Sequence, residues 1–491
     1  MKKIIIIGAG MGGLVAGNLL ARKGYKVTIF ESHNMPGGYT AGFWKNGFYF
    51  ESGTLAFESS DFVFKSMKDI GIYEKIEFIR KNARWVSNDF DDIPESFDEF
   101  KNMFYVAYPA EKEKLGRYFF EVDKMCRAMH AIDKPKNLIS VITYPLGLLR
   151  IWNIYRKYKN LTISEFTNIF FDKDSKLYRS LKNFGYPDMA AWILGGAVIV
   201  IFNDYWTVKE GMQSWANALA DNLKTLGGEL RLSSYVDKII TKNGVAVGVS
   251  CEDKIYEANY VIAASDYKKT FLKLLDNKSL IPGRLQEKID STQVSEGFVT
   301  VYLGLKLSNE ELKKYMKLPY VFYGDEKSDI DIHNPNDEKF FEKTPITLYS
   351  PSMVNQKLAP EGKSSLMIQA VAPNNWMQNW GGGDKQEYKK LKEDMKKALI
   401  ERASKIIPDL RSFIELEDAA TPITYERYTH NTRGATSAWS WNPKNKFYKN
   451  FMSVNVETPV KNLFIGSCWA TQIGGVPSAI SAAYQCVKKI E

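Results

Sequence analysis

Gly8, Gly10 and Gly13 stand in the spacing G-x-G-x-x-G within "KKIIIIGAGMGGLVAGNLLARKGYKVTIFES". The unbroken apolar run from Ile4 to Ile7 before them is that of a parallel strand buried on both faces. In such a unit the first glycine permits a tight turn, the second lets a pyrophosphate approach the backbone, and the third lets the helix close on the sheet. The helix then presents unpaired N–H groups and the positive end of its dipole to the diphosphate. Gly17, one turn on, predicts another close contact of that helix. The run "YKVTIFE" returns as a second strand ending in Glu31, where an acid can accept both ribose hydroxyls of an unphosphorylated adenosine. Strand, glycine turn, helix, strand and acid in this order predict a βαβ dinucleotide-binding unit. Position alone does not separate FAD from NAD.

A second glycine-hinged segment stands at the far end, "NLFIGSCWATQIGGVPSAISAAYQCVKKI", from Asn462 to Ile490. Leu463 to Ile465 read as a strand broken at Gly466, and Gly474 and Gly475 precede a small-residue helix starting at Val476. Ala479, Ser481, Ala482 and Ala483 would let that helix pack closely against the first. Elsewhere the chemistry is sparse. The four histidines fall in no metal-ligand spacing and no Ser-His-Asp set presents itself, so no metal is expected. His33 reads as ordinary surface, and neither His130, at a helix end, nor His333, in a polar loop, reads as a catalyst. Cys468 reads equally as a buried small side chain and as a redox thiol.

The elements that must position these ends are coarser to read. "SSDFVFKSMKDIGIYEKIEFI" and the stretch from Phe97 to about Pro135 predict helices joined by short polar turns. "MAAWILGGAVIVIF", Met189 to Phe202, is either a buried helix or the lining of an apolar substrate channel. From Tyr205 the pattern becomes a helix ending near Leu226, short strands with an Asn243–Gly244 turn, and the apolar run Val261 to Ala264. Further on, "EGFVTVYLGLKL", "PITLYSPSM" and Ser365 to Val371 predict strands, and "KEDMKKALIERASKIIPDL" an amphipathic helix.

Bulk properties bound the rest. The chain has 491 residues, 45% hydrophobic and 25% charged, enough for two or three domains. Four cysteines without a CxxC suit a reducing cytoplasm better than a disulfide scaffold. No stretch reaches the length of a spanning helix, and "IIIIGAG" is core strand rather than a secretory segment. The formal charge of +9 is spread along the chain without a nucleic-acid recognition pattern, so no nucleic-acid partner is expected. Residues 137–160, leucines and aromatics leading into Arg150, Arg156, Lys157 and Lys159, read either as a peripheral membrane contact or as an ordinary solvated helix.

The stretch "SHNMPGGYTAGFWKNGFYFESG" carries a second glycine pair, Gly37 and Gly38, and continues to Glu51, Ser52 and Gly53. It resembles the FAD-binding extension of the flavin amine oxidase and phytoene desaturase superfamily. With "AASD", "TPITYERYTHNTRGA" and the terminal segment, the order of motifs resembles the carotenoid desaturase family, on the side of its carotenoid isomerases and retinol saturases. The motifs cover roughly a third of the chain.

The resemblance implies an α/β plus α+β fold, a discontinuous Rossmann-like FAD-binding domain with an interleaved substrate domain of mixed sheet and helices. The expected FAD-binding pieces are residues 1–75, 206–266 and 422–491, and the substrate pieces 76–205 and 267–421. The implied FAD contacts are Gly8, Gly10, Gly13, Glu31, Gly37, Gly38, Gly53, Val236, Gly466, Gly474, Gly475 and Val476, with Gly211 and Met212 nearby. One glycine helix would bind the diphosphate and the other the reactive ring. His430, Arg433 and Trp469 are the catalytic candidates, with Arg427 a further candidate for an acidic head group. Trp206, Trp376, Trp380, Trp439 and Trp469 are candidates to line the substrate passage or to be ordinary core.

Two departures from the family pattern stand out. Tyr39 follows the glycine pair where many members have a basic residue, and "SCWATQIGGVP" differs from the usual ring-side segment. The implied activity is desaturation, saturation or cis–trans isomerisation of a carbon–carbon bond in a long unsaturated isoprenoid or lipid. A flavin amine oxidase acting on a polar amine, and a non-catalytic FAD or lipid carrier, are the alternatives. The electron acceptor is left open, and the expected location is the cytoplasm or the inner face of a membrane.

Overall fold

The computed structural model describes residues 2–130, 138–186, 188–325 and 328–491. Its first strand, Lys3–Ile7, lies at the centre of a five-stranded parallel sheet because Ile4 to Ile7 are buried on both faces. Lys26–Phe30 pairs on one side with Glu229–Arg231 beyond it, and Tyr260–Ala263 pairs on the other with Leu463–Ile465 beyond it. The sheet thus draws its strands from both ends and the middle of the chain. Helix Met11–Arg22 is buried along its length except at Arg22. It packs between helices Met212–Thr225 and Val476–Ile490. Gly17 is one reason: a Cβ there would come within 2.8 Å of Ile29 Cδ1 and 3.5 Å of Leu223.

A smaller antiparallel sheet, Val236–Lys242, Val245–Cys251 and Lys254–Glu257, stands beside the parallel one. Its first turn is the Asn243–Gly244 pair, with φ of 52° and 76°, the left-handed pair that a two-residue hairpin requires.

The second large sheet has seven strands, in the order Ile414–Ala420, Gly297–Leu305, Ser364–Ala372, Ile346–Tyr349, Tyr320–Tyr323, Arg84–Val86 and Asp91–Asp92. Alternation assigns its faces. Val299, Val301, Leu303 and Leu305 pack with Met395 and Leu399 of helix Lys385–Ala403. Tyr302 and its cross-strand partner Met367 face the opposite way, toward Phe48 and Phe50. The chain is therefore a discontinuous α/β fold with a Rossmann-like parallel sheet and an interleaved region of sheet and helices.

Helices Phe97–Ala107, Lys112–His130, Leu138–Tyr158 and Leu194–Asn203 form a third layer around an aromatic core that includes Phe100, Phe119, Phe184 and Phe202. The expected helix end near Pro135, and residue 137, lie outside the described residues. Leu194–Asn203 satisfies both readings of its sequence. Leu194, Val198 and Phe202 are buried against Lys112–His130, whereas Gly196, Ala197, Val200 and Ile201 line a cavity. On Leu138–Tyr158, Leu146, Leu149 and Trp152 are exposed, while Tyr158 is buried and donates to Glu121 at 2.6 Å. Among the described residues no helix is long and apolar enough to cross a membrane.

Candidate active site

At the end of the first strand the backbone makes a glycine cradle. Gly8 has a φ of 102° and its N–H donates to Phe30 O at 2.7 Å. Gly13 allows the first helix to approach: a Cβ there would lie 2.0 Å from Gly8 O. Gly10 is different. It precedes the helix in extended conformation, and a Cβ added to it would meet nothing within 4 Å. It borders open space at a helix N-terminus, where backbone N–H groups have no intrahelical partner. Gly37 closes over the cradle, bridging to Gly10 and donating to Ala9 O at 2.9 Å, and Gly38 follows with a φ of 59°.

Glu31 is buried at the tip of the second strand. Its carboxylate accepts from Ala9 N at 2.7 Å and from His33 N at 2.9 Å. Ser234 N donates to Glu31 O at 2.7 Å, which brings the start of Val236–Lys242 to the same end of the cradle. The residues present therefore fit a dinucleotide: a free helix N-terminus, an uncrowded glycine beside it, and an acid one strand away.

Directly after Gly38, Tyr39 lies on the wall of a cavity of about 1190 Å³, which Gly8, Gly10, Gly13, Gly37 and Gly38 do not themselves line. Gly53, Gly474, Gly475 and Val476 are on its wall, so the terminal helix points its N-terminus into the same space. Gly474 is pressed against backbone, its Cβ position 2.3 Å from Ser437 O, and Gly475 holds a φ of 97°. Gly466 lies below, with Ile262 Cγ2 2.3 Å from its Cβ position. Tyr39 fills the place of the family's basic residue. Its hydroxyl donates to Gly434 O at 2.8 Å, its ring stacks on Tyr425, and burial holds its phenol well above the usual range.

The cavity wall is mainly aromatic and aliphatic, lined by Trp85, Phe298, Phe322 and Trp441 together with Val200 and Ile201 of helix Leu194–Asn203. Its polar groups include one cluster near the ring end. Tyr205 and Tyr320 bring their hydroxyls to 3.1 Å, and Tyr186 and Glu58 share the neighbourhood. Glu58 Oε1 lies 3.1 Å from the Cβ position of Gly475. Burial pushes its carboxyl up to about 7, and Asp204 adds to the shift.

The catalytic candidates are not brought together. His430 caps helix Pro422–Thr429 in left-handed conformation, with its ring 5.4 Å from that of Tyr235. Burial lowers its pKa, with Lys269 acting the same way and Glu31 opposing, so it belongs to the nucleotide end and not to the cavity wall. Arg433 is exposed and its backbone N–H donates to Glu426. Arg427 lies over the ring of Tyr428. Trp469 is 1% exposed, donates to Asn431 Oδ1 at 2.9 Å and packs edge-on against Trp439.

None of Trp206, Trp376, Trp380, Trp439 and Trp469 lines the cavity. Trp376 and Trp380 are buried in the core beside helix Lys385–Ala403, and Trp439 stacks on Phe447. Gly211 and Met212 also differ from expectation. Glu51 occupies the N-terminus of their helix, accepting from Met212 N at 3.1 Å, and Gly211 abuts the Tyr49 ring. Among the described residues no cluster suited to a metal occurs. Sequence reasoning missed Glu58; the only signal was an acid directly after the short apolar run Leu55 to Phe57.

Comparisons with known proteins agree with this geometry. The family model for flavin containing amine oxidoreductases matches residues 11–490. The chain is 25% identical over 465 residues to a chloroplastic prolycopene isomerase of Daucus carota, covering 88% of this chain and 71% of that one. It is 22% identical over 529 residues to an all-trans-retinol 13,14-reductase of Danio rerio, covering 98% and 84%. A 4,4'-diapophytoene desaturase of Methylomonas sp is 27% identical over 506 residues, covering 91% and 88%. Among solved structures, putrescine oxidase bound to putrescine matches with a TM-score of 0.65 at 14% identity, over 100% of this chain and 98% of that one. An oxidoreductase from Methanosarcina mazei matches with a TM-score of 0.59 at 14% identity, over 99% and 100%. The glycine cradle, the ring-end helix and the match along nearly the whole chain lead to one conclusion: this chain belongs to the flavin containing amine oxidoreductase family, a class of FAD-dependent oxidoreductases.

Proposed function

We propose that this protein binds FAD and changes a carbon–carbon double bond in a long unsaturated isoprenoid or lipid, by desaturation, saturation or cis–trans isomerisation. The observation that carries this reading is the cavity of about 1190 Å³, mainly apolar, that reaches the start of the terminal helix. It exceeds the roughly 300–1,000 Å³ of ordinary small-molecule sites, leaving room for an elongated apolar substrate beside a ring. The three relatives named above, an isomerase, a reductase and a desaturase of polyenes by their names, support the same substrate class.

In this reading Gly8, Gly10, Gly13, Gly37 and Gly38 hold the diphosphate, Glu31 the ribose, and the backbone at Val236 the adenine. Gly53, Gly466, Gly474, Gly475 and Val476 hold the ring. Bound FAD supplies a two-electron acceptor or donor at that ring. The protein's own part is to orient the chain of the substrate along Val200, Ile201 and Phe298 and to exclude water. The N-terminal dipole of Val476–Ile490 stabilises negative charge placed near it. His430, Arg433 and Trp469 then act as structural supports rather than reacting groups. The exposed Leu146, Leu149 and Trp152, flanked by Arg150 and Arg156, suit a peripheral contact with the inner face of a membrane, from which such a substrate would be drawn.

A second reading has one observation in its favour. Glu58 among Tyr186, Tyr205 and Tyr320 is a site where an amine cation could sit against a carboxylate and aromatic faces. One experiment separates the two. The FAD-loaded protein is titrated anaerobically with a cis-carotenoid, a retinoid, an unsaturated fatty acid and an aromatic amine while the flavin band is followed. The reduced protein is also incubated with each lipid while the return of the flavin band is followed, and the isomers of the cis-carotenoid are separated. Bleaching by a lipid, reoxidation by a lipid, or isomer conversion is expected. Bleaching by the amine alone moves the assignment to amine oxidation.

A further inference from the structure

We propose that Glu58 is the catalytic acid–base residue of this site, exchanging one proton with the substrate carbon at the ring end of the cavity. The inference rests on the carbon–carbon reading above and names the group that reading lacks. Changing a C–C bond by two electrons moves one hydride and one proton, and the ring accounts for the hydride only. In the saturating direction the Glu58 O–H bond breaks as a C–H bond forms on one carbon. A hydride comes from reduced flavin to its neighbour, and the C=C π pair is consumed. In the desaturating direction the carboxylate takes the proton, the hydride leaves to oxidised flavin, and the π bond forms.

The geometry singles out Glu58. It lines the cavity, and its Oε1 lies 3.1 Å from the Cβ position of Gly475, the residue that caps the terminal helix. The charged group that bears on it is another carboxylate, Asp204, which is itself held by Ser60 N and Trp206 Nε1. No ion pair involving Glu58 occurs among the described residues. The neutral phenols Tyr186 and Tyr205 are the other titratable groups near it, and burial raises both. A carboxyl that is desolvated, beside a like charge and close to neutral in pKa can hold a proton and release it at physiological pH. Of the other buried acids, Asp325 shares the cavity wall but is paired with Arg402 at 3.2 Å, and Glu296, which burial also pushes up to about 7, is not on that wall. Glu51 accepts from Met212 N and Tyr49 Oη, and Asp266 from Thr432 N and Lys269 N, and neither is on the cavity wall.

The test uses the FAD-loaded full chain and the near-isosteric Glu58→Gln, with Glu58→Asp beside it. The infrared difference between wild type and Glu58→Gln, recorded without substrate, should contain the carbonyl stretch of a protonated carboxylic acid that disappears around pH 7. FAD affinity should be unchanged in both variants. The rate at which the active lipid bleaches oxidised flavin, or restores the band of reduced flavin where the lipid is saturated, should fall about 10²- to 10⁴-fold in Glu58→Gln, with partial recovery in Glu58→Asp. The wild-type rate should turn near pH 7, falling above it in the saturating direction and rising through it in the desaturating direction. A carboxyl that titrates below pH 5, or a Glu58→Gln that bleaches within threefold of wild type, overturns the inference alone. A wild type whose flavin no lipid bleaches or reoxidises, and that isomerises none, overturns the reading on which it rests.

Discussion

Replacing Gly10 and Gly13 separately by alanine distinguishes cofactor contact from packing inside one motif. At Gly13 an added Cβ would stand 2.0 Å from Gly8 O and 3.1 Å from Ala264 Cβ, so helix and strand must part. Overpacking of this kind costs about 1–3 kcal/mol, and apo Gly13→Ala should melt several degrees below wild type. At Gly10 the Cβ meets nothing within 4 Å, and φ −71° with ψ 177° suits alanine. The poorer capping by alanine and the smaller entropy of its unfolded chain offset each other, leaving apo stability within about 0.5 kcal/mol of wild type. The new methyl group instead fills the space at the helix N-terminus where the diphosphate would approach. Losing one hydrogen bond to a charged group costs about 1.5–3 kcal/mol, which weakens FAD binding about 10- to 150-fold. Thermal unfolding of the apo proteins and titration of FAD by fluorescence quenching measure the two effects. A Gly10→Ala protein that binds FAD within threefold of wild type would refute the placement of the diphosphate, and a Gly13→Ala protein melting with wild type would refute the packing argument.

Other perturbations follow from the same geometry. Burial raises the Glu58 carboxyl from the ordinary glutamate 4.5 to about 7, so its contribution to stability is present below about pH 4.5 and lost as pH rises through 7. Between pH 5 and 8 wild type should lose on the order of 3 kcal/mol relative to Glu58→Gln, read from paired denaturation curves. Phe202→Ala opens the aromatic core around Trp85, Phe100 and Phe184 and should cost about 3–5 kcal/mol. Val200→Trp, on the cavity face of the same helix, should leave FAD affinity intact and abolish bleaching by lipid. Arg402→Met removes a charged partner of Asp325 from a buried pair, 3.2 Å apart, and should cost about 3–5 kcal/mol in thermal or denaturant unfolding. Leu149→Ser with Trp152→Ser should reduce cosedimentation with anionic vesicles without changing the flavin spectrum.

The parts of the fold that follow local rules were legible. Ile4 to Ile7, the glycines after them, the Asn243–Gly244 hairpin and the strand Leu463–Ile465 each carry their geometry in residue type and spacing. The two-faced helix Leu194–Asn203 was legible only as an ambiguity, because an apolar surface reads alike whether it meets protein or a cavity. The tryptophans were not legible at all. Trp85 and Trp441 line the cavity whereas Trp376 and Trp380 lie in the core behind the seven-stranded sheet, a distinction made by which face of that sheet each element covers. Glu58 escaped for a related reason: its significance comes from Gly475, more than four hundred positions away, and from Asp204, neither of which its sequence neighbourhood announces. His430 drew attention as a titratable group in a motif, yet the turn it caps directs it toward Tyr235.

The parallel sheet takes its central strand from residues 3–7 and one edge from residues 463–465, and the first helix is covered by the last. On a ribosome working at about 5–20 residues per second, some 20–90 s separate the emergence of these two ends. Throughout that interval the first glycine motif has neither its outer strand nor its covering helix, and Gly12 faces no Gly466 or Ala479. Until then the nascent chain exposes the apolar helix face that residues 476–490 cover in the folded protein. On the FAD reading, a chain stalled before residue 463 would lack Gly466, Gly474 and Gly475.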